Sequence, residues 1–439
     1  MNRPSPTASM ATASLIFVIC LSCVLVDQVN IGSAAAAPRT PGRTVSQSEI
    51  GLIFAYPNAF QWTDVGAFVG LIGSGYFARM SPDAIKVEHG RAQHFMPADD
   101  KGYSHFPYSR FKQYEAEEIA EGRDPLFITA TYEGKRRPVY HSWSLNPSGG
   151  TPTTQPEMWF QAVNMSSDRY IDFWVNQYVK GVLWHNQPVR PNYWVGIDNC
   201  GFRWDLYGVL DDSNHFVRGV PWDPPFPQNR DQYLAFVAQF FHKLAKVAPE
   251  VNTMCNVGSM EDPGKFQEVW ADIPGMMMED IRNTNPQQRV KQQSIMNEAS
   301  WFGEQGRVAI LRSIIQPDNP DDLRFAYLIY LLVKGPNFFF APQFSTKGSL
   351  AVPPSQYSAI RADLGEPTEA MRTEPDKGKG PPYNLYSRAY EGGIIYMNWT
   401  GGSKTIRLPS DRQYVDLGGR SVTSVTVPDL YATYVKIIH

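Results

Sequence analysis

Between residues 168 and 341 the chain alternates short apolar runs with longer stretches whose apolar residues recur at helical spacing. Few folds accept such an alternation. A strand, a helix and a second strand in succession make the strands parallel, because the crossover returns the chain to the same edge of the sheet. Residues 193–197, 251–254, 275–278, 308–315 and 337–341 read as strands. Residues 168–182 read as a helix with Tyr170, Phe173, Trp174 and Val179 on one face, and residues 232–248 as another with Phe236, Phe240, Leu244 and Val247 in a stripe. Further helices are expected at 287–302 and 322–334, with 266–271 as a bridge. Earlier runs at 50–55, 67–72, 84–87 and 127–131, with a short extended entry at 159–163, bring the strand count close to eight. The expected fold is an α/β (β/α)8 TIM barrel over residues 38–373.

Past Pro353 the pattern changes. A polar stretch at 374–382 contains Lys377-Gly378-Lys379-Gly380-Pro381-Pro382, and short alternating runs follow at 385–390, 393–399, 404–408, 413–417, 421–427 and 431–437. Turn signals separate them, at Glu391-Gly392-Gly393, Thr400-Gly401-Gly402 and Gly418-Gly419. Residues 383–439 are therefore expected to form a small antiparallel β-sandwich. At the other end, Arg3, an apolar run at 15–26 and Ala34-Ala35-Ala36-Ala37 before Pro38 have the layout of a secretory signal peptide, residues 1–37. The expectation is a cleaved signal and a secreted or periplasmic protein. No second apolar stretch reaches spanning length, so no transmembrane span is expected in the mature chain.

A formal net charge of −3 over 439 residues supplies no basic stripe, which argues against a nucleic-acid partner. Cys20 and Cys23 would leave with the signal, and Cys200 and Cys255 are either a disulfide or two buried thiols. Neither has metal-ligand spacing around it, and Gly70-Leu71-Ile72-Gly73-Ser74-Gly75 matches neither the dinucleotide nor the phosphate-loop pattern. No cofactor and no metal are expected. Aromatic residues make up 13% of the chain, including 11 Trp and 22 Tyr. They serve either as core or as flat faces lining a cleft for sugar rings.

Two of the apolar runs end in acids: Tyr193-Trp194-Val195-Gly196-Ile197-Asp198-Asn199 and Gly275-Met276-Met277-Met278-Glu279-Asp280. Barrel active sites are built at the C-terminal ends of strands, so these acids are the leading catalytic candidates. Asn256 would stand at the end of the strand between them. Trp204 and Asp205 open a long loop, 205–230, after Asp198, while Tyr132 and Glu133 end an earlier strand; with Asp280 these are the candidate substrate-binding residues. Each has a plainer role open to it: a cap for Asp198, a structural amide for Asn256, a packed or solvated loop position for the rest.

The stretch 168–182, the strand ending Gly196-Ile197-Asp198-Asn199, the Cys255-Asn256-Val257-Gly258 rim, Gly275 to Glu279 and the tail from Tyr386-Ser387-Arg388 to Asn398 together resemble the glycoside-hydrolase-like TIM-barrel proteins, notably the hypothetical glycosyl hydrolase family 15. The resemblance runs from about Phe160 to the C-terminus. It implies a secreted glycoside hydrolase acting on a poly- or oligosaccharide, with Asp198 as nucleophile or as base toward water and Glu279 as general acid/base. Glycosidic cleavage needs one protonated and one ionised carboxyl group, which a single acid does not supply. The competing readings are a non-catalytic carbohydrate-binding protein on the same scaffold and an envelope structural protein.

Overall fold

The structure is a computed structural model that describes residues 86–90, 92, 94–95, 106–142, 160–188, 193–197, 204–257, 266–278, 281–282, 285–315, 319–344, 362 and 364–438. The expected signal peptide and the runs at 50–55 and 67–72 lie outside them. Six strands, β1 (Lys86–Gly90), β2 (Tyr193–Ile197), β3 (Asn252–Val257), β4 (Gly275–Met278), β5 (Val308–Ile315) and β6 (Asn337–Phe344), lie side by side in that order. Every adjacent pair is parallel. Helices α1 (Tyr108–Ala120) and α2 (Asp168–Phe173) fall between β1 and β2, α3 (Arg230–Val247) follows β2, α4 (Phe266–Val269) follows β3, and α5 (Arg289–Glu304) and α6 (Pro320–Val333) follow β4 and β5. This is the order a (β/α) barrel requires, although among the described residues β1 and β6 are edges and do not pair with each other.

Strand periodicity divides the sheet into two faces. Val195, Ile197, Cys255, Met276, Met278, Ala309, Leu311, Phe338 and Phe340 pack with the helices in one continuous core. The residues between them, Trp194, Met254, Met277, Val308, Ile310 and Phe339, are buried on the opposite face. There Gly196 and Gly275 flank Met254 in register. The missing side chain of Gly275 leaves room for the Trp194 ring, whose Cζ3 lies 2.7 Å from where a Cβ on Gly275 would stand. Large beside small is how such layers fill.

Two expectations need correction. The run at 127–131 is not a member of the parallel sheet: Thr129–Tyr132 pairs antiparallel with Lys135–Pro138. Glu133 (φ 52°) and Gly134 (φ 73°) make the connection, both in the left-handed region that a two-residue hairpin demands. The short run near 161 likewise belongs to a five-stranded antiparallel sheet, in the order His94–Phe95, Gln161–Ala162, Tyr140–His141, Tyr207–Leu210 and Phe216–Arg218. The segment 205–230 is therefore not a plain loop. Its turn is closed by Asp211, which accepts from the Ser213 and His215 amides. The helix expected over 168–182 is present, and past Phe173 it continues with a wider winding to Leu183, the Trp184 amide bonding five residues back to Val179 at 2.8 Å.

The C-terminal unit is a six-stranded antiparallel sheet, ordered Arg372–Pro375, Asn384–Tyr390, Gly393–Asn398, Tyr431–Ile438, Gln413–Val415 and Ser421–Val422, with a ribbon of Lys404–Arg407 and Ser424–Val427. Tyr396, Leu408, Tyr414, Val427 and Val435 form their shared core, so the expected sandwich has one broad and one narrow layer. The polar stretch after Arg372 contributes an edge strand before it turns, so the unit begins ahead of residue 383. Asn398 is fully buried, donates to the Gly402 and Val427 carbonyls at 2.8 Å each, and accepts from the amide and hydroxyl of Thr400. Its Asn-Trp-Thr sequence is a structural turn.

α6 lies between the two sheets, which accounts for its unbroken apolar run from Phe325 to Val333, all buried. Tyr330 donates to the Phe338 carbonyl of β6 at 3.0 Å on one side, and Phe325 stacks on Tyr431 at 5.8 Å on the other.

One acid-sensitive contact holds α1. Hydrogen bonds from Arg123, opposed by burial and reinforced by Arg169, keep the Glu118 carboxyl below its usual range. The contacts are 2.5 Å from Arg123 Nε and 2.7 Å from Arg169 Nη1. A depressed folded-state pKa gives stability that is present above the unfolded value and lost as pH falls through the folded one. Urea midpoints of Glu118→Gln should therefore lie below the parent's at pH 7 and converge on it toward pH 3. Parallel curves at both pH values would rule the contact out as a source of acid sensitivity.

Candidate functional site

The sequence places the candidate site where the parallel strands end. β2 stops at Ile197 and β4 at Met278. The candidate acids Asp198, Glu279 and Asp280 are the next residues in sequence and lie outside the described residues. Asn256, predicted for the rim of β3, does stand near its end, beside Met277 in register and only 7% exposed. It shares the face of Trp194, Met254 and Met277, away from the helices.

Arg312 joins it on that face and was not anticipated. It sits two residues beyond Ile310 on β5 and is 8% exposed. Burying a guanidinium inside a sheet is costly without polar partners, so Arg312 needs polar company in a strand that is apolar apart from it and Ser313. The signal was available: Arg312 is the one charged residue in the run Val308 to Ile315. The Ile281 amide donates to the Arg312 carbonyl at 2.8 Å, so the chain leaving β4 returns to the side of β5 within three residues of Met278.

Trp204 and Asp205 form a single turn leading into Tyr207–Leu210. The Trp204 ring lies 5.0 Å from Trp222 and 5.7 Å from Tyr233, and Tyr233 donates to the Tyr207 hydroxyl at 3.3 Å. Burial pushes the phenols of Tyr207 and Tyr233 well up, so both stay protonated. Tyr233 belongs to the first turn of α3. Because α3 follows β2, its start lies at the strand-end side of the sheet, and the partly buried Trp204 is held there too.

Tyr132 and Glu133 do not end a strand of the parallel sheet; Tyr132 closes the first strand of the hairpin and Glu133 opens its turn. The hairpin is fastened to the same aromatic group through Asp223, the neighbour of Trp222. Asp223 accepts from the Thr129 and Thr131 hydroxyls at 2.8 Å each, and its amide donates to the Thr129 carbonyl. Burial works against the Asp223 carboxylate, but those hydroxyls and Arg136 hold its pKa down. His141 is buried edge-on to Tyr207 at 4.9 Å.

Cys255 is disulfide-bonded, and its partner lies outside the described residues. Among the described residues no group of three or more His, Cys, Asp or Glu is placed to hold a metal, and no helix is long and apolar enough to cross a membrane. A shallow cleft lined by Phe241, Leu244, Val251, Asn252, Asp272 and Pro274 opens at the other end of the sheet, where β3 and β4 begin. It is remote from the strand ends.

No protein-family model and no curated protein matches the chain, so the hypothetical glycosyl hydrolase family 15 gains no support from that side. Solved structures with a loosely similar fold include a GH36 α-galactosidase from Geobacillus stearothermophilus bound to 1-deoxygalactonojirimycin, at 9% identity and a TM-score of 0.42 over 81% of this chain. The chain spans less than half the length of that protein, 45%. An α-amylase from Geobacillus thermoleovorans complexed with acarbose is similar at 11% identity and a TM-score of 0.37, over 81% of this chain and 78% of its own. An α-amylase from Malbranchea cinnamomea is similar at 9% identity and 0.39, over 81% and 74%.

Proposed function

We propose that the chain is an exported glycoside hydrolase that cleaves O-glycosidic bonds of a poly- or oligosaccharide with two carboxyl groups and no cofactor. The observation that carries this reading is the register of the parallel sheet. Asn256 and Arg312 share the face of Gly196 and Met277, and counting two residues on from each of the latter reaches Asp198 and Glu279. The six sequential parallel strands are then part of a closed eight-stranded barrel, with the acids at its mouth.

In that arrangement Asp198 acts as nucleophile, or as base toward water, and Glu279 protonates the leaving oxygen. The barrier falls because the two carboxyl groups are held in opposite protonation states around an oxocarbenium-like centre. A buried guanidinium on the same face, Arg312, favours the ionised member, and desolvation favours the protonated one. Asn256 bonds a sugar hydroxyl, and Trp204 offers a ring face for stacking. A signal over residues 1–37 carries the chain out of the cytoplasm, and the disulfide at Cys255 supports an oxidising destination.

The test is a glycan panel assayed for new reducing ends with residues 38–439 and the variants Asp198→Asn and Glu279→Gln. Turnover by the parent, lost in both folded variants, is the expected result. A parent that binds a glycan without cleaving it would replace this reading with the carbohydrate-binding one, and full activity in either variant would remove that acid.

A further inference from the structure

We infer that Arg289 is a positioning residue through which the C-terminal sheet fixes the chain leaving β4. Arg289 opens α5 and is 5% exposed. Its guanidinium reaches the C-terminal unit four ways. Nη2 and Nη1 bond the two Asp429 oxygens at 2.6 and 3.2 Å, Nη1 donates to the Trp399 carbonyl at 2.5 Å, and the plane lies over the Tyr383 and Trp399 rings at 5.1 and 5.5 Å. A planar fork gripped by a carboxylate, a carbonyl and two rings admits one orientation. Asp429 also accepts from the Gly401 amide at 2.9 Å, so the acid is itself held.

One turn further along α5, the fully buried Gln292 donates to the Ile281 carbonyl at 3.0 Å. The Ile281 amide in turn holds the Arg312 carbonyl on β5, and Arg282 pairs with Asp322 in the first turn of α6. The returning chain is thereby clamped to β5, α5 and α6 within four residues of the end of β4. The core side chains of α5, Ile295, Met296, Ala299 and Phe302, lie further along the helix, so its first turn needs a hold of its own. Arg289 supplies that hold. The C-terminal sheet is on this view part of the site's scaffold and not an attachment module. The catalytic consequence rests on the assignment of Glu279, two residues before Ile281.

The experiment measures amide hydrogen exchange in the full mature chain without ligand, beside turnover on any glycan the parent cleaves, for Arg289→Ala, Arg289→Lys and Asp429→Asn. Arg289→Ala should speed exchange at Ile281 by about tenfold, the equivalent of one lost hydrogen bond, and leave the β3 amides as they were. Lys keeps the charge but not the fork, and its effect should fall between Ala and the parent. kcat should fall by up to about 100-fold with KM nearly unchanged, as expected when a reacting group is misplaced and binding is not. Unchanged exchange at Ile281, or equal acceleration at β3, overturns the brace. Faster exchange with kcat intact overturns the positioning role. A parent inactive on every glycan sinks the functional reading alone, because the exchange result stands without it. Should the Ala variant not fold, the Lys and Asn variants decide by the same criteria.

Discussion

Arg388→Ala should cost about 2–3 kcal/mol of unfolding free energy, the upper part of the range for carbonyls that lose the hydrogen bonds of a charged donor. Nη1 of Arg388 donates to the Leu331, Leu332 and Lys334 carbonyls at 3.1, 3.2 and 2.7 Å, and Nε donates to the Glu369 carbonyl at 3.1 Å. α6 ends at Val333, so the first three are carbonyls near a helix end that need outside donors. No water reaches them easily, because α6 is buried between two sheets. Burial pulls the Arg388 pKa down, yet a guanidinium remains charged at any ordinary pH. Removing it orphans several acceptors at once and opens a gap where its stem lay. Tyr390, which donates to the Leu331 carbonyl at 2.5 Å, covers only one of them. Arg388→Met separates the two contributions, since it keeps most of the stem volume and loses every donor. Its loss should be smaller than that of Ala yet well above 1 kcal/mol. Arg388→Lys should not restore the parent, as one ammonium cannot span the fork. Urea unfolding of the four proteins measures all of this, and a loss below about 1 kcal/mol for Ala would show that the carbonyls find other donors.

The parallel core was legible because its signal is local. The runs at 193–197 and 308–315 return as strands with the same limits, since a strand covered on both faces must be apolar throughout and a helix between two such strands carries one stripe. The antiparallel insertions were not. The run at 127–131 has strand composition, but nothing within it says whether its partner comes from the next six residues or from across a sheet. The answer lay in Glu133-Gly134, a pair that accepts positive φ and so closes a hairpin at once. Composition alone likewise suggests a loop over 205–230, although Tyr207–Leu210 and Phe216–Arg218 pair around the Asp211 turn. α6 is apolar on every side, and such a helix needs a second covering layer, which the C-terminal sheet supplies. Of the site, Asn256 was legible from its place at the end of an apolar run. Arg312 was passed over because the run around it reads as core, where a lone charge looks like an accident of sequence. It is the reverse, since a charge held inside a strand marks where the interior turns polar.

The floor beneath those polar groups can be tested by the fit of Gly275 against Trp194. Gly275→Ala places a methyl group 2.7 Å from Trp194 Cζ3 and 3.4 Å from Met254 Cε. Carbon atoms do not approach so closely, and a Trp that is 1% exposed has no empty space to retreat into. The expected cost is about 1–3 kcal/mol, and Gly275→Val, with two further carbons in the same layer, should exceed it. Trp194→Phe replaces the bicyclic indole by a single smaller ring that lacks Cζ3, and by itself leaves a cavity beside Gly275. Joined with Gly275→Ala it should partly fill that cavity, so the double variant should be more stable than the sum of the singles predicts by about 0.5–3 kcal/mol. Simple additivity in urea unfolding would mean that the clash is relieved elsewhere and that the two residues do not share a layer. The same pair bears on function, because Trp194 and Gly275 lie on β2 and β4, the two strands that precede Asp198 and Glu279. Under the proposed function, overpacking at the base of these strands should disturb the acids beyond them, so Gly275→Ala should lose turnover at temperatures where it is still folded, and Trp194→Phe in the same chain should recover part of it.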